Sequence, residues 1–316
     1  MPKKDKKKKG RKEEEPTIRK IIFCGLDNSG KSSYIARLKN QAFPSSPTTG
    51  IDRTQYDIFG FPILIWDFGG QRKLRTSYLQ KTHFFHGTDL LFYLIDIQDE
   101  ARFDESISYF EKLLEIFEER PLIFILFHKA DPDIAESRRV LNNIIKIKQK
   151  LKKPLKQFEV FYYATTIFDY VSVLAPFSFA LSKLLPFAAV LESYIINFLE
   201  QQQLSCIILM DKNGTALSKV AGKPEDLTFC EITGIHLVQL FEAYEKKSMS
   251  EPKISLRIPS PSEGAPGGEV LFEKLEILKT RYYLTILTKD VDRIASIKDA
   301  LSEFIEGLGK TLEISH

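Results

Sequence analysis

Cysteine is scarce in this chain: of 316 residues only Cys24, Cys206 and Cys230 are cysteines. They form no C-x-x-C pair, and Cys24 and Cys206 lie in apolar, strand-like surroundings. Buried reduced thiols are therefore expected rather than a disulfide or a metal site. The five histidines, His83, His86, His128, His236 and His316, are equally sparse. None combines with carboxylates at zinc-ligand spacing on a helix, so no transition-metal centre is expected. Long apolar runs are also missing. The most apolar stretch, Val171 to Ile196, is interrupted by Pro176, Lys183, Pro186 and Glu192, which makes it a poor bilayer span. No apolar segment follows the lysine-rich first twelve residues, so no signal peptide is expected, and Pro2 stands where N-myristoylation needs glycine. These absences together suit a reducing, cytoplasmic setting.

What is present reads as an ordinary folded protein, 43% hydrophobic and 28% charged. A chain of this length can bury more than one core, and two domains are expected. The net charge of +3 conceals an asymmetry. Residues 1–12 hold eight Lys or Arg against Asp5 alone, a charge of +7, so the remainder carries −4. The expected reading is a disordered basic tail over residues 1–16, with attraction to an anionic membrane surface as the functional alternative to a merely solvated segment.

The periodicity predicts strands at Ile18–Cys24, Asp57–Gly60, Pro62–Trp66, Leu90–Ile97, Leu122–Phe127 and Glu159–Tyr163. Helical segments fall at Ser32–Leu38, Arg72–Phe85, Phe103–Phe117, Ile134–Leu151 and Tyr170–Gln203, the last interrupted near Pro186. Alternating strands and helices imply an α/β domain over residues 17–186, its mostly parallel sheet covered by helices on both faces. Over residues 187–316 the order becomes strand, strand, helix, three strands, helix, with strands at Ser205–Met210, Ala216–Val220, Ile254–Ile258, Val270–Leu278 and Tyr282–Thr288. Helices are expected there at Thr233–Lys246 and Val291–Leu308. The Asp211-Lys212-Asn213-Gly214 turn and the Pro259–Gly268 loop punctuate an antiparallel α+β domain.

Three motifs in the first domain carry chemistry. Gly25-Leu26-Asp27-Asn28-Ser29-Gly30-Lys31-Ser32 matches G-x-x-x-x-G-K-[ST] between a buried strand and a helix, where a phosphate cradle belongs. Backbone N–H groups from Asn28 to Ser33 and the helix N-terminus would face a β-phosphate, Lys31 would bridge β- and γ-phosphates, and Ser32 would ligate Mg²⁺. Trp66-Asp67-Phe68-Gly69-Gly70-Gln71 follows a second buried strand. It offers Asp67 to the metal through water, the Gly70 amide to the γ-phosphate and Gln71 to an attacking water. The structural alternative is a buried strand that ends in an ordinary turn.

His128-Lys129-Ala130-Asp131 follows a third buried strand and has the form [NH]-K-x-D. An aspartate there accepts two N–H groups from guanine, whereas adenine has no 2-amino group to offer. Lys129 would lay its aliphatic stem over the base. Thr48 in Pro47-Thr48-Thr49-Gly50 is the preferred mobile metal ligand, with Thr49 the alternative. A backbone amide in Thr165-Thr166 would reach the guanine O6.

On these residues the chain resembles the small GTPase superfamily, combining Arf-like and Rag/Gtr features. The phosphate loop, Pro47-Thr48-Thr49-Gly50 and Trp66 to Gln71 look Arf-like. His128-Lys129-Ala130-Asp131 and Thr165-Thr166-Ile167-Phe168-Asp169 look Rag-like, with histidine in place of the usual asparagine. His128 can donate from one ring nitrogen but does not reproduce both ends of an asparagine amide. An Arf-type amphipathic, acylated N-terminal helix is missing, and a lysine tail stands in its place. The resemblance implies a P-loop G domain that binds GTP or GDP with Mg²⁺, followed by a roadblock- or longin-like domain that forms homo- or heterodimers. It also implies activating and exchange proteins as partners; nucleic acid is not expected.

Three functions are compatible with these residues. A regulatory switch in membrane-associated trafficking or signalling would hydrolyse GTP slowly, with Gln71, Lys31 and Gly70 as the catalytic set. No arginine is an evident finger, although Arg72 and Arg75 lie near the second switch. A GTP-binding scaffold with negligible hydrolysis would act by dimerising. A P-loop kinase or metabolic ATPase would need a second substrate site with lid arginines, and H-K-x-D would then be coincidental.

Overall fold

In a computed structural model of the chain, residues 18–247, 256–258 and 268–314 are described. The basic tail and residues 254–255 of the expected 254–258 strand lie outside them. The first sheet is built from β1 (Arg19–Gly25), β2 (Ile51–Ile58), β3 (Phe61–Phe68), β4 (Leu90–Asp96), β5 (Leu122–His128) and β6 (Val160–Thr165). The strand order is β2-β3-β1-β4-β5-β6, with β2 alone antiparallel to its neighbour. Near-continuous apolar runs such as Leu-Leu-Phe-Tyr-Leu-Ile in β4 are buried on both faces, as parallel strands under two helical layers require. Those helices are α1 (Lys31–Leu38), α2 (Arg72–Gln80), α3 (Phe103–Leu114), α4 (Arg138–Leu151) and α5 (Tyr170–Leu184).

Several boundaries differ from the sequence reading, for local reasons. β2 starts at Ile51 rather than Asp57. Most of its residues before Tyr56 are exposed, as on a sheet edge, so Asp52, Arg53 and Gln55 obscure the apolar pattern. α4 starts at Arg138, not Ile134, because the Ser137 hydroxyl accepts from Val140 N–H at 3.3 Å and caps the first turn. The 170–203 helical stretch does break near Pro186, as its sequence indicates: α5 and α6 (Ala188–Gln202) meet there at 107°. Among the described residues no single helix is long and apolar enough to cross a membrane; only this bent pair passes by length and composition.

The second sheet has the order β8-β7-β11-β10-β9, all antiparallel. It contains β7 (Cys206–Asp211), β8 (Ala216–Ala221), β9 (Leu256–Ile258), β10 (Gly268–Ile277) and β11 (Thr280–Thr288). α7 (Pro224–Lys246) and α8 (Ile294–Ile314) complete this unit. α7 begins nine residues before the expected Thr233. Pro224 in its first turn, followed by Glu225 and Asp226, is an N-terminal signal that the apolar pattern alone overlooked. Every residue of β7 is buried, so both faces of that strand are covered. α7 packs on β7, β8, β10 and β11, while α6 packs on β7, β8 and α8.

The β2–β3 hairpin joins the two halves. At its tip Ile58 and Phe59 are fully buried. The Phe59 ring stacks on Tyr282 of β11 at 4.1 Å, its backbone N–H donates to the Tyr282 hydroxyl at 2.8 Å, and it meets Phe187 edge-on. Burial of that ring is worth about 2 kcal/mol, and its stacking about 1 kcal/mol more. One hydrophobic cluster consequently runs from the first sheet into the second, while a separate cluster fills the first sheet's other side.

Candidate functional site

The strand order of the first sheet reverses between β1 and β4, and in such sheets the crevice at the carboxyl ends of the strands is the binding place. β1 ends at Gly25 and α1 begins at Lys31, so the loop 26–30 bridges a buried strand to a helix N-terminus at that crevice. Asn28 and Gly30 adopt positive φ, 60° and 89°, which turns the loop back on itself. A side chain on Gly30 would strike the His128 ring within 2.4 Å. Lys31 is buried and donates to the Leu26 carbonyl at 2.7 Å and the Gly25 carbonyl at 3.3 Å. Burial pulls its ammonium down to about 8, opposed in part by Asp67.

Beside it three oxygens converge from three segments. Ser32 Oγ lies 2.5 Å from Asp67 Oδ2 and 2.8 Å from Thr48 Oγ1, and Thr48 Oγ1 is 3.2 Å from the same carboxylate oxygen. Burial raises the Asp67 carboxyl above its ordinary range, against the pull of Ser32 and Lys31. Its second oxygen, Oδ1, is buried with no hydrogen-bond partner. A hard divalent cation takes oxygen ligands of this kind, and an orphaned carboxylate oxygen beside two hydroxyls fits one. Thr49 is exposed.

Gly70 lies against the phosphate loop, with Asp27 N–H donating to its carbonyl at 2.9 Å. A Cβ there would fall 2.3–2.4 Å from backbone atoms of Leu26 and Asp27, so only glycine fits. Gln71 is exposed at the start of α2, on the rim of an open cleft of about 440 Å³ that Lys31, Ser32, Thr48 and Gly70 also line. Arg75 Nε donates to the Gly70 carbonyl at 2.7 Å, and the same guanidinium bonds Glu105. Arg102 joins Glu105, at 2.9 Å, to Asp27 of the phosphate loop, at 2.7 Å. Arg102 and Glu105 escaped the sequence reading because they belong to no motif. Their position follows only from the packing of α3 beside the loop.

The carboxyl ends of β5 and β6 hold the remaining candidates. His128 is buried, its Nδ1 2.8 Å from Thr165 Oγ1, and burial lowers its ring to about 4. The imidazole is therefore neutral near pH 7. Lys129 has φ 62° and pairs with Asp96 at 2.7 Å. Asp131 Oδ1 accepts from the Thr166 hydroxyl at 2.6 Å. A backbone amide of Thr165-Thr166 is expected at the base. In the structure Thr166 N–H donates to Ser172 Oγ at 3.1 Å, and the two hydroxyls hold His128 and Asp131.

The geometry thus brings a phosphate cradle, a hydroxyl–carboxylate cluster and a carboxylate-bearing turn to one end of one sheet. A family match spans most of this part of the chain. The sequence profile described as the Gtr1/RagA G protein conserved region matches residues 20–235. The ADP-ribosylation factor-like protein alp41 of Schizosaccharomyces pombe is 29% identical over 145 residues, covering 45% of this chain and 75% of that protein. A solved structure of the Arl6 BBS3 small GTPase from Trypanosoma brucei, with bound nucleotide analogue GppNp, aligns at 20% identity. That alignment covers 52% of this chain and 95% of the other, with a TM-score of 0.44. The profile match runs from β1 into α7 and takes in most of the 316 residues, so the chain belongs to the Gtr1/RagA G protein family within the small GTPase superfamily.

Proposed function

We propose that the chain is a Mg²⁺-dependent molecular switch that binds GTP or GDP and hydrolyses GTP slowly. The observation that carries this reading is the meeting of Ser32, Thr48 and Asp67 beside Lys31, with Gly70 and Gln71 on the same cleft. Ser32 and Thr48 would hold Mg²⁺ directly, and Asp67 through water. When bound, the cation neutralises phosphate charge as it develops. Lys31, already stripped of solvent, contributes a fixed positive charge at the phosphates. The Gly70 amide would donate to the terminal phosphate, and Gln71 would position water for in-line attack. His128, Lys129, Asp131, Thr165 and Thr166 form the guanine-reading end.

Thr48 precedes β2 and Asp67 lies near the end of β3, both at the open end of one hairpin, so their shared bonding ties two segments to one nucleotide state. Residues 187–316 are proposed as a roadblock- or longin-like domain that pairs with the same or a related chain. Support comes from the family match extending past the first sheet and from the antiparallel order of the second. The +7 tail is proposed to touch an anionic membrane surface, in trafficking or signalling, with activating and exchange proteins as partners.

The test compares fluorescent GTP, GDP and ATP analogues in the presence of Mg²⁺ on the chain and on Asp131→Ala and Lys31→Ala, with phosphate release followed beside Gln71→Leu. Guanine-selective binding lost in both alanine variants, with slow release abolished by the leucine change, is expected. Equal ATP binding would overturn the guanine assignment. Tight GTP binding without release would make the protein a scaffold.

A further inference from the structure

Gln98 lies in the turn after β4, outside every motif, exposed, and with both hydrogen bonds of its side-chain amide directed at one segment. Its Nε2 donates to the Lys129 carbonyl at 2.8 Å and to Asp131 Oδ2 at 3.1 Å. We infer that Gln98 is a positioning residue for guanine recognition, acting through the Asp131 carboxylate. The inference rests on the guanine-binding reading of Asp131.

The stereochemistry of a carboxylate carries the argument. Each oxygen offers two lone-pair directions. In this structure the Thr166 hydroxyl occupies one on Oδ1 and the Gln98 amide one on Oδ2. One direction on each oxygen remains for the N1–H and 2-amino N–H of guanine. With a single protein donor the carboxylate could rotate about its Cβ–Cγ bond and present one oxygen well and the other poorly. Two donors, one per oxygen, fix its plane.

Gln98 is itself held for this task. Its backbone N–H donates to Asp96 Oδ1 at 3.0 Å, while Asp96 Oδ2 pairs with Lys129 at 2.7 Å. Ile97 N–H donates to the His128 carbonyl at 2.9 Å. Asp96, Ile97 and Gln98 therefore brace His128, Lys129 and Asp131 across the sheet, and the left-handed turn at Lys129 aims its carbonyl at the Gln98 amide. The donor is neutral, so it orients Asp131 without cancelling the charge that attracts the base. A lysine at this position would compete with guanine for the same oxygen.

Inosine triphosphate, which lacks the 2-amino group, separates this role from a merely structural one. Competition against a fluorescent guanine nucleotide gives affinities for GTP and inosine triphosphate on the full chain and on Gln98→Ala and Gln98→Glu. The expected result is a fall of about threefold to tenfold in the GTP preference, as a carboxylate freed to rotate holds the 2-amino group less well. Inosine triphosphate binding should change little in the alanine variant. The preference should be lowest in Gln98→Glu, which keeps the size but sets a carboxylate beside Asp131. Because Gln98 is exposed, unchanged thermal midpoints are expected and verify folding. Equal weakening of both nucleotides, or no change in either, would overturn the inference. Failure of the unsubstituted chain to prefer GTP over ATP would instead remove the guanine reading beneath it, a result visible before any substitution is made.

Discussion

The Tyr56 hydroxyl donates to the Asp211 carboxylate, linking the hairpin of the nucleotide-binding sheet to the end of a strand in the second sheet. Both side chains are buried, and burial raises both groups above their ordinary ranges. Asn213 and Thr215 N–H groups donate to the other Asp211 oxygen at 2.9 and 2.8 Å, and Asn213 Nδ2 donates to the Tyr56 oxygen at 2.7 Å. The expected cost of Tyr56→Phe is about 1–3 kcal/mol of unfolding free energy, because a buried carboxylate loses one donor and an amide loses its acceptor. Urea denaturation reads this. A double-mutant cycle with Asp211→Ala should show strong coupling, and additive effects would sink the linkage.

His128 makes stability depend on pH. Its folded value is about 4 and its ordinary value 6.5. Between the two the unfolded chain binds a proton that the folded chain refuses. Stability that is complete above pH 6.5 is therefore lost as pH falls toward 4, by about 3 kcal/mol over the whole window. Denaturation midpoints taken from pH 7 to 4 should slope less in His128→Asn than in the parent. Parallel slopes would assign the loss to other groups.

Ser32→Ala and Asp67→Asn each remove one member of the oxygen cluster around the cation position. A loss of about tenfold to a hundredfold in Mg²⁺ affinity of the nucleotide complex is expected, read as the Mg²⁺ dependence of GDP release. An unchanged Mg²⁺ midpoint in both variants would place the cation elsewhere.

Gly70→Ala introduces a Cβ where Leu26 and Asp27 backbone atoms already stand. The turn must withdraw from the phosphate loop, so single-turnover GTP hydrolysis should fall about a hundredfold while GDP affinity changes little. Near-normal hydrolysis would show that Gly70 does not need this contact.

Much of the fold could be read from local pattern. Leu90–Asp96 and Leu122–His128 are apolar on both faces, which identifies covered parallel strands without any partner being known. The Asp211–Gly214 turn, with Gly214 at φ 83°, marked the first hairpin of the second sheet. β2 was harder, since an edge strand lets polar side chains face water and blurs the period of two. The pairing of Gln98 with Asp131 was invisible for a different reason. An exposed glutamine in a turn has no distinguishing neighbours in sequence, and only the adjacency of β4 and β5 brings it to the carboxylate 33 positions away.

By itself the sequence determined the family, the phosphate loop and the succession of strands and helices, because each depends on residues contiguous in the chain. A glycine-rich turn, a buried strand and a helix start need no distant partner to be recognised. Tertiary structure decided the rest: that Gln98 meets Asp131, that Arg102 reaches Asp27, and that Tyr56 finds Asp211. Each is a polar contact between segments far apart in the chain. Hydrogen bonds act over about 3 Å, so sheet order and helix packing alone select which distant side chains come within their range.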